Sequence, residues 1–521
     1  MLNRRQALGG VAAGAAVLAG GATPARAQFA DAPLKRLLDG VAQGHMSGAE
    51  RAALLKAFPG VQQLSDRARL DYDVVLQASE IEAEFARRFP FGAGPGAPYA
   101  VSTRAGGWLK AADAVKAGGD APAELARKLD AETGRIRADA ADHGVIPPAF
   151  VIDKVLAGLA AAARNAPADL AAALGRQGEA LSGLRGKAGT GAGLSRFKWG
   201  RDYYALVLKQ NLGMDLDPGE AHERGIAAVR AFGARAARLL DQQGVPAGRL
   251  GDRFATLARE PRWLYSDDDA GRDKLVAEMN AWLEKAKARL PQSFAAVPPG
   301  TLTARISRMS RADEASARQG YRDAPSFDGR RAGVYYIDLA AIRGRPSWTL
   351  PSVVHHEAVP GHMLQIPLEE GSGAHPLRTR LACPGFLEGW AIYAEQVADE
   401  AGAFADDPLA QLGYLQWMLF RAGRLVVDTG LHAKGWTHQI AERWFARIQG
   451  PPPVFAPIAQ DVERAAIGPG GVAGQGLAWL EIVRIREQAR RRPGFDVKRF
   501  HGDLLAPGTL PLSMQRARLL A

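Results

Sequence analysis

The chain has 521 residues, one cysteine and a formal net charge of +11. A single cysteine, Cys383, excludes an intramolecular disulfide framework, so the fold must be stabilised by a large hydrophobic core. The basic excess is spread along the chain as scattered arginines, without the clustered basic face that nucleic-acid binding requires. A chain of this length has room for one large domain or for two lobes that share a cleft.

The first 27 residues read as an export signal. Arg4 and Arg5 form a twin-arginine start, a Gly- and Ala-rich apolar run follows, and residues 25–27 fit a small-x-small cleavage site. A twin arginine is typical of the route that moves folded proteins across a bacterial inner membrane. We therefore expect residues 1–27 to be cleaved and the mature protein to be periplasmic. The alternative, an uncleaved anchor, needs roughly 20 strongly apolar residues, so we expect no stable membrane anchor.

Residues 28–300 carry the start and stop signals of α-helices. The segment "DPGEAHERGIAAVRAFGARAARLLDQQG" begins with Asp217 as a predicted N-cap, continues with apolar residues at helical spacing and stops at Gly244. A second apolar stripe, over residues 275–286, is expected to end before Pro291. We interpret both stripes as core seams rather than ligand sites, and we predict a helical N-terminal part.

The pattern then changes to that of β-strands. "TLTARISRM" alternates apolar and polar residues and predicts a strand. "GVYYIDL" predicts a second strand, with Val334 and Tyr336 on one face and Tyr335 and Ile337 on the other. We expect a small β-sheet immediately before the helix that carries the chemistry, where a strand edge can hold an extended peptide.

The stretch "HHEAVPGH" places three histidines and one glutamate close together. In the zinc-peptidase pattern H-E-x-x-H, the two histidines are four residues apart and reach one ion from one face of a helix. His356 and His362 are six residues apart, which on an unbroken helix turns them about 120° away from each other. Pro360 disfavours helix at the residue before it and Gly361 permits positive φ, so we predict a break that returns His362 to the side of His356.

Two other interpretations of this stretch stay open. His355 and His362 share a face only on an unbroken helix, where they lie about 10 Å apart along the axis, too far for easy coordination. The histidines can also be ordinary polar core residues beside a helix stop.

Carboxylates complete the predicted metal site. Glu357 directly follows His356 and has the position of a general base that takes a proton from water beside the metal. "FLEGWAIYAEQVADE" offers Glu388 as the third ligand, in an apolar and aromatic setting where a carboxylate needs a cation or a donor. Glu395 and Asp399 lie on the same helical stripe, so Glu395 is expected to orient a histidine ligand, although both can instead belong to a solvated face.

The chain resembles the bacterial family catalogued as "domain of unknown function 885". The resemblance rests on "GVYYIDL", "VVHHEAVPGHMLQ", "FLEGWAIYAEQ", "RAGRLVVDTGLHAKGW" and "FDVKRFHGDLLAPGTLPL", in family order. It implies kinship with glutamate-type (gluzincin) zinc metallopeptidases and a mainly α fold. The expected fold is a large two-lobed, zincin-like helical shell around a deep channel, with a small β-sheet beside the active-site helix. It also implies that His356, His362 and Glu388 hold Zn²⁺, with Glu357 as base.

Peptide hydrolysis also needs hydrogen-bond donors for the developing oxyanion. His432, in "VVDTGLH", is the first candidate, followed by Tyr335 and Tyr336. The alternatives are that Asp428 and His432 pair one helical turn apart for structural reasons, and that both tyrosines pack within the sheet.

Four further residues bear on the substrate. The family usually carries a tyrosine near the C-terminal end, where we align Gln475 in "IGPGGVAGQGLAWLEI". An amide can donate a hydrogen bond but lacks the acidity of a phenol. Arg421, Arg424 and Lys434 are candidates to hold a substrate carboxylate near His432, although charged helix residues are commonly salt-bridged or solvated.

These observations predict an exported zinc metallopeptidase that hydrolyses short peptides. Residues 28–300 are expected to form its helical N-terminal part and residues 301–521 its zinc-binding catalytic part, within one continuous domain. The alternatives are a non-catalytic periplasmic peptide-binding protein on the same scaffold, favoured by Gln475, and a metal-dependent amidase acting on cell-wall peptides. In each case the partner is a short peptide or another amide, and no nucleic acid is expected.

Overall fold

A computed structural model describes residues 28–316, 318–450 and 457–521 of the chain. Within these ranges the protein is mainly α-helical and contains one small β-sheet, which confirms the predicted helical character and the predicted sheet. No helix in them is both long enough and apolar enough to cross a bilayer. The predicted export signal lies outside the described residues.

The N-terminal part is built from α-helices, with short 3₁₀ turns and irregular connections between them. Its helices are α1 (Gln28–Gln43), α2 (Gly48–Lys56), α3 (Asp66–Arg88), α4 (Ala111–Ala117), α5 (Ala121–His143), α6 (Ala149–Ala163), α7 (Ala168–Arg185), α8 (Gly200–Leu212), α9 (Pro218–Gln242), α10 (Leu250–Ala258), α11 (Asp269–Ser293) and α12 (Pro299–Leu302).

Helix α9 begins and ends where the sequence predicts. The Asp217 side chain accepts hydrogen bonds from the backbone N–H groups at the first turn, and Gly244 follows the last turn at a φ of 71°. Helix α11 runs past Pro291, so the expected stop before this proline is wrong. Pro291 lies in the last turn, where its missing N–H removes one hydrogen bond, and the N–H of Phe294 still closes the helix on Leu290.

The sheet has three short strands in the order β1–β3–β2. β1 (Arg305–Arg308) is parallel to β3 (Val334–Ile337), and β2 (Tyr321–Asp323) is antiparallel to β3 and forms an edge. Helix α13 (Arg311–Ala315) lies between β1 and β2. The strand predicted from "TLTARISRM" is therefore too long at its start, because its first residues form the end of α12 behind a Pro-Pro pair.

The remaining helices carry the predicted chemistry. They are α14 (Leu350–Glu357), α15 (His362–Gly371), α16 (Pro376–Leu381), α17 (Pro384–Glu400), α18 (Pro408–Ala433), α19 (His438–Gln449), α20 (Ile458–Ile467), α21 (Gly471–Arg490), α22 (Val497–Leu505) and α23 (Leu512–Leu519).

Helix α18 is the centre of the packing. It is buried along most of its length and contacts α9, α14, α19, α20 and α21, while α17 packs against α14 and α21. The largest hydrophobic cluster takes residues from Ile81 to Leu512, so both halves of the chain contribute to one core. Gly385 and Gly389 bring α17 so near α21 that a Cβ at Gly389 would lie 2.5 Å from that of Ala478. This packing fixes α14, α17 and α18 relative to one another.

Candidate metal centre

The chain breaks between α14 and α15, at the Pro-Gly pair. Helix α14 ends at Glu357 and α15 begins at His362, so the predicted break is confirmed, but Gly361 has a φ of −72° and does not use the positive φ that glycine permits. Glycine is required there for a different reason: a Cβ at Gly361 would lie 1.9 Å from the carbonyl oxygen of His356. The indole N–H of Trp390 donates to the carbonyl of Pro360 over 3.0 Å and ties the break to α17.

This break brings His356 and His362 together. Their ring centroids lie 5.1 Å apart and the ring planes are perpendicular. Nε2 of His356 is 3.4 Å from one carboxylate oxygen of Glu388, and Nε2 of His362 is 3.5 Å from the other. The three possible ligand atoms lie within 4.8 Å of one another. His355 points elsewhere, because its Nδ1 lies 3.1 Å from the carbonyl oxygen of Val359.

The spacing of these atoms suits one tetrahedral ion. Zinc binds nitrogen and carboxylate oxygen at roughly 2.0–2.1 Å, so two tetrahedral ligands lie roughly 3.3–3.4 Å apart. The separations of 3.4 and 3.5 Å, which run to the two different oxygens of Glu388, are near this value and exceed the roughly 2.7–2.9 Å of a charge-assisted N–H···O bond. The two histidines and Glu388 are thus near enough to one another to share a cation, and each histidine lies farther from Glu388 than in a tight charge-assisted hydrogen bond.

The hydrogen bonds of the two histidines support this fit. Nδ1 of His356 lies 2.8 Å from Glu395, whose other oxygen accepts from the Ser352 hydroxyl over 2.6 Å. Such a carboxylate fixes the ring so that Nε2 faces Glu388. His362 is fully buried, and neither of its ring nitrogens has a hydrogen-bond partner. A buried imidazole without partners is costly, and coordination through Nε2 would satisfy one of its nitrogens.

Burial and charge act in opposition on the ionisation of these groups. Burial alone would raise the pKa of Glu388, but the two histidines hold it well below its usual range. Burial and Arg421 act to lower the pKa of His356, yet Glu388 and Glu395 raise it overall. Burial dominates for His362 and lowers its pKa. Glu388 therefore stays an anion, as a metal ligand must.

Arg322, on the edge strand β2, lies against the predicted base. Its Nε and Nη2 both approach the same oxygen of Glu357, Oε2, at 3.2 Å, which leaves Oε1 free of this contact. Arg322 pairs in register with Tyr335 on β3. Burial, and then the charge of Glu357, raise the pKa of the Tyr335 phenol well above its usual value, so this phenol keeps its proton at neutral pH.

Arg421 lies at the candidate metal cluster, away from the position predicted for it beside His432. Its Nη2 is 3.4 Å from both ring nitrogens of His356 and 3.9 Å from Glu395. Arg421 and His432 are eleven residues apart on α18, which is about 16 Å along the axis. The other two predicted carboxylate-binding residues have partners of their own, namely Asp461 for Arg424 and Glu223 for Lys434.

His432 and Asp428 belong to a second buried polar group. His432 is fully buried, accepts at Nδ1 from the N–H of Leu194 over 3.1 Å, and lies 2.9 Å through Nε2 from the carbonyl of Ala465. Asp428 accepts from the Tyr204 hydroxyl over 2.7 Å and from backbone N–H groups at the start of α21. Because both ring nitrogens of His432 face backbone groups, this geometry favours a structural role over the predicted oxyanion contact.

The remaining predicted residues lie around these groups. Tyr336 is half-buried and stacks on Tyr321, with ring centroids 4.8 Å apart. Gln475 is half-buried on α21, next to Gly474, the residue that faces Gly385 of α17. Asp399 pairs with Arg235 at 2.9 Å and does not take part in the cluster.

Sequence reasoning missed two contacts of this site. Arg322 reaches Glu357 through the pairing of β2 with β3, and its own surroundings in the sequence carry no signal of that contact. Ser352 was a detectable candidate, because it lies four residues before His356 and therefore on the same helical face. Its hydroxyl supports Glu395 and, through it, the orientation of His356.

The fold and this cluster together define a mainly helical protein with one candidate His-His-Glu metal centre within the described residues. The family model described as "Bacterial protein of unknown function (DUF885)" matches residues 38–519. The chain belongs to this family, which confirms the resemblance drawn from the five sequence motifs. Comparison with curated proteins finds no match.

Two solved structures are similar to the chain over nearly their whole length. A "putative lipoprotein" of Colwellia psychrerythraea is 24% identical, with a TM-score of 0.74 over 95% of this chain and 96% of that one. A "putative lipoprotein of unknown function" of Shewanella oneidensis is 17% identical, with a TM-score of 0.62 over 96% of this chain and 100% of that one. At these identities the likeness shows a shared fold alone.

Proposed function

We propose that this protein is an exported zinc metallopeptidase that hydrolyses short peptides. The observation that carries the proposal is the group of His356, His362 and Glu388, whose ligand atoms lie within 4.8 Å of one another, with His362 buried and neither of its ring nitrogens hydrogen-bonded. The donor set of two imidazoles and one carboxylate is the one used by thermolysin-like zinc enzymes. We include in the proposal a zincin-like, two-lobed shell around a substrate channel.

Four residues have distinct tasks in the proposed reaction. Zinc held by the cluster would polarise the scissile carbonyl and increase the acidity of water. Glu357 accepts the proton of the attacking water at Oε1, because Arg322 holds Oε2, and then delivers that proton to the leaving amine. Tyr335 keeps its phenolic proton and is the favoured donor to the oxyanion. Glu395 keeps the His356 ring oriented.

The sheet beside this site supports an extended peptide as the substrate. β2 forms an edge of the sheet, and its Arg322 contacts the proposed base. A peptide paired along that edge would have its backbone held next to Glu357 by main-chain hydrogen bonds. Export is supported by the twin-arginine start of the sequence and by the word lipoprotein in the descriptions of both solved neighbours.

The test compares three purified mature proteins: the wild type, Glu357→Gln and Glu370→Gln. Glu370 is exposed on the neighbouring helix α15, so the control makes the same chemical change away from the cluster. Metal content is measured by elemental analysis, and cleavage of a mixed short-peptide library is followed by mass spectrometry. We expect about one zinc in all three proteins, and cleavage by the wild type and Glu370→Gln only.

Other outcomes would redirect or overturn the proposal. Zinc in all three proteins without cleavage of any peptide would favour the peptide-binding protein, consistent with Gln475 where the family has a tyrosine. Cleavage confined to cell-wall peptides would favour the amidase. Wild-type protein that holds no zinc after incubation with an excess of the ion would overturn the metal centre itself.

A further inference from the structure

Arg421 places a permanent positive charge against a predicted metal ligand. Its Nη2 is 3.4 Å from both Nδ1 and Nε2 of His356, although the in-plane directions of these nitrogens lead to Glu395 and to the cluster. The guanidinium therefore lies against the imidazole ring near Cε1, the carbon between the two nitrogens. A cation at this position repels any divalent ion bound through Nε2.

The fold holds Arg421 there at some cost. Its side chain is 8% exposed, and its Nε has no hydrogen-bond partner. The rings of Trp417 and Phe420, on the same helix, pack at 5.1 and 5.8 Å from its guanidinium carbon. Burying a charge with an unmatched donor is unfavourable, which points to a role for this arginine beyond packing.

The charges around the cluster indicate that role. Glu357, Glu388 and Glu395 contribute three negative charges, while Arg322 and Arg421 contribute two positive ones. Arg421 contacts Glu395 as well as His356, so it attracts the same carboxylate that makes His356 a stronger donor. Removing its charge would leave one further uncompensated negative charge beside the site.

We infer that Arg421 tunes the metal centre by weakening zinc binding and limiting electron donation from His356. The inference rests on the proposed metal centre and adds a residue that touches neither the ion nor the substrate. Two effects act in the same direction: direct repulsion of the ion, and competition with His356 for Glu395. A ligand that donates less electron density leaves the bound ion a stronger Lewis acid. Arg421 would therefore lower the zinc affinity of the site and increase the reactivity of the bound zinc.

The sign of the change in zinc affinity separates this tuning from a merely structural role. If Arg421 acts through its charge, then Arg421→Gln and Arg421→Met bind zinc more tightly, while Arg421→Lys stays close to wild type. If it only holds His356 and Glu395 in place, all three variants bind zinc more weakly. Ser352→Ala is the matched control, because it removes a neutral partner of the same carboxylate and is expected to weaken binding slightly.

The experiment measures zinc affinity by competition with a chromophoric chelator, and zinc loss in excess chelator, on the full mature chain. We expect at least tenfold tighter binding and slower loss for Arg421→Gln and Arg421→Met, and a change under threefold for Arg421→Lys. Arg421→Met keeps apolar contact with the Trp417 ring and provides a second neutral variant if Arg421→Gln folds poorly.

Two results would overturn the inference in different ways. Unchanged or weaker zinc binding by both neutral variants, with a wild type that binds zinc, would reject the tuning role and leave the proposed peptidase standing. A wild type that binds no zinc would reject both. Lower kcat of the zinc-loaded neutral variants at unchanged KM would be the accompanying result expected from a weaker Lewis acid.

Discussion

Two buried groups of histidine and carboxylate lie beside α18, which contributes Arg421 to one and Asp428 and His432 to the other, and the two groups differ in how their polar atoms are satisfied. Around His432 and Asp428, every polar ring and carboxylate atom has a hydrogen-bond partner, mostly backbone. Around His356 and His362, the His362 ring has no hydrogen-bond partner. The contacts of the charged side chains there, which join Arg322 to Glu357, His356 to Glu388 and Arg421 to Glu395, are 3.2–3.9 Å long. The hydrogen bonds of the first group are complete, whereas the second group has an unsatisfied ring that the proposed cation would complete.

The contrast also separates two roles that a buried histidine can have. Burial lowers the pKa of His432 to about 4, so this ring is neutral and works as a fixed hydrogen-bonding group between two backbone segments. His356 is equally buried, but Glu388 and Glu395 surround it with negative charge. A histidine beside two carboxylates and an unsatisfied second histidine has the surroundings of a ligand. The predictions below test this distinction.

The largest effect is expected at Glu388. Glu388→Gln removes the only charged donor of the three ligand candidates and should reduce zinc affinity by more than about 100-fold, with loss of peptide cleavage. Competition with a chelator measures the affinity, and far-UV circular dichroism checks that the fold is retained. Zinc affinity equal to that of the wild type would show that the cluster is not a metal site.

A second large effect is expected from the break between α14 and α15. In Gly361→Ala, the new Cβ would lie 1.9 Å from the carbonyl oxygen of His356, so the backbone has to move and His362 moves with it. We expect a loss of about 1–3 kcal/mol in the free energy of unfolding together with weaker zinc binding. Gly344→Ala is the control, since nothing lies within 4 Å of its added Cβ, and should change stability by less than about 0.5 kcal/mol.

The origin of this break also shows how far sequence reasoning reaches. The ends of α9 and the position of β3 could be predicted from local sequence. A capping aspartate, a glycine, and a run of β-branched and aromatic residues determine the conformation of the residues next to them. The Pro-Gly break and the approach of His362 to His356 were likewise predictable. Its detailed conformation was not, because the need for glycine at 361 comes from a carbonyl five residues earlier that only the folded turn brings close.

Contacts between distant segments were the part that could not be predicted. Arg322 reaches Glu357 because β2 is antiparallel to β3, and nothing near Arg322 in the sequence indicates that pairing. Arg421 was predicted near His432, but it contacts His356 of α14 and Glu395 of α17, which come from other parts of the chain. His432 itself is satisfied by Leu194 and Ala465, which come from other parts of the chain.

A moderate effect is expected at the carboxylate behind the ligand. Glu395→Gln keeps an acceptor for His356 Nδ1 but removes the negative charge and leaves Arg421 without its nearby anion. We expect zinc affinity to fall by about 10–100-fold, as for other second-layer partners of zinc ligands. Calorimetric zinc titration measures the change. An unchanged affinity would mean that Glu395 is only a core hydrogen-bonding group, like Asp428.

The smallest effect on turnover is expected at His432, and its clearest consequence is for stability in acid. Glutamine can replace both hydrogen bonds of the neutral ring, so His432→Gln should keep peptide cleavage within about threefold, whereas loss of an oxyanion donor costs about 10²–10³-fold.

The pKa of His432 in the folded protein, about 4, lies below the unfolded value of about 6.5, so the unfolded chain binds the extra proton between these pH values. Stability due to this group is therefore present above pH 6.5 and falls as the pH falls toward 4. Urea denaturation should show His432→Gln losing about 2 kcal/mol less than the wild type between pH 7 and pH 5. A variant with wild-type acid sensitivity and a hundredfold loss of turnover would return His432 to the reacting groups and remove the contrast between the two clusters.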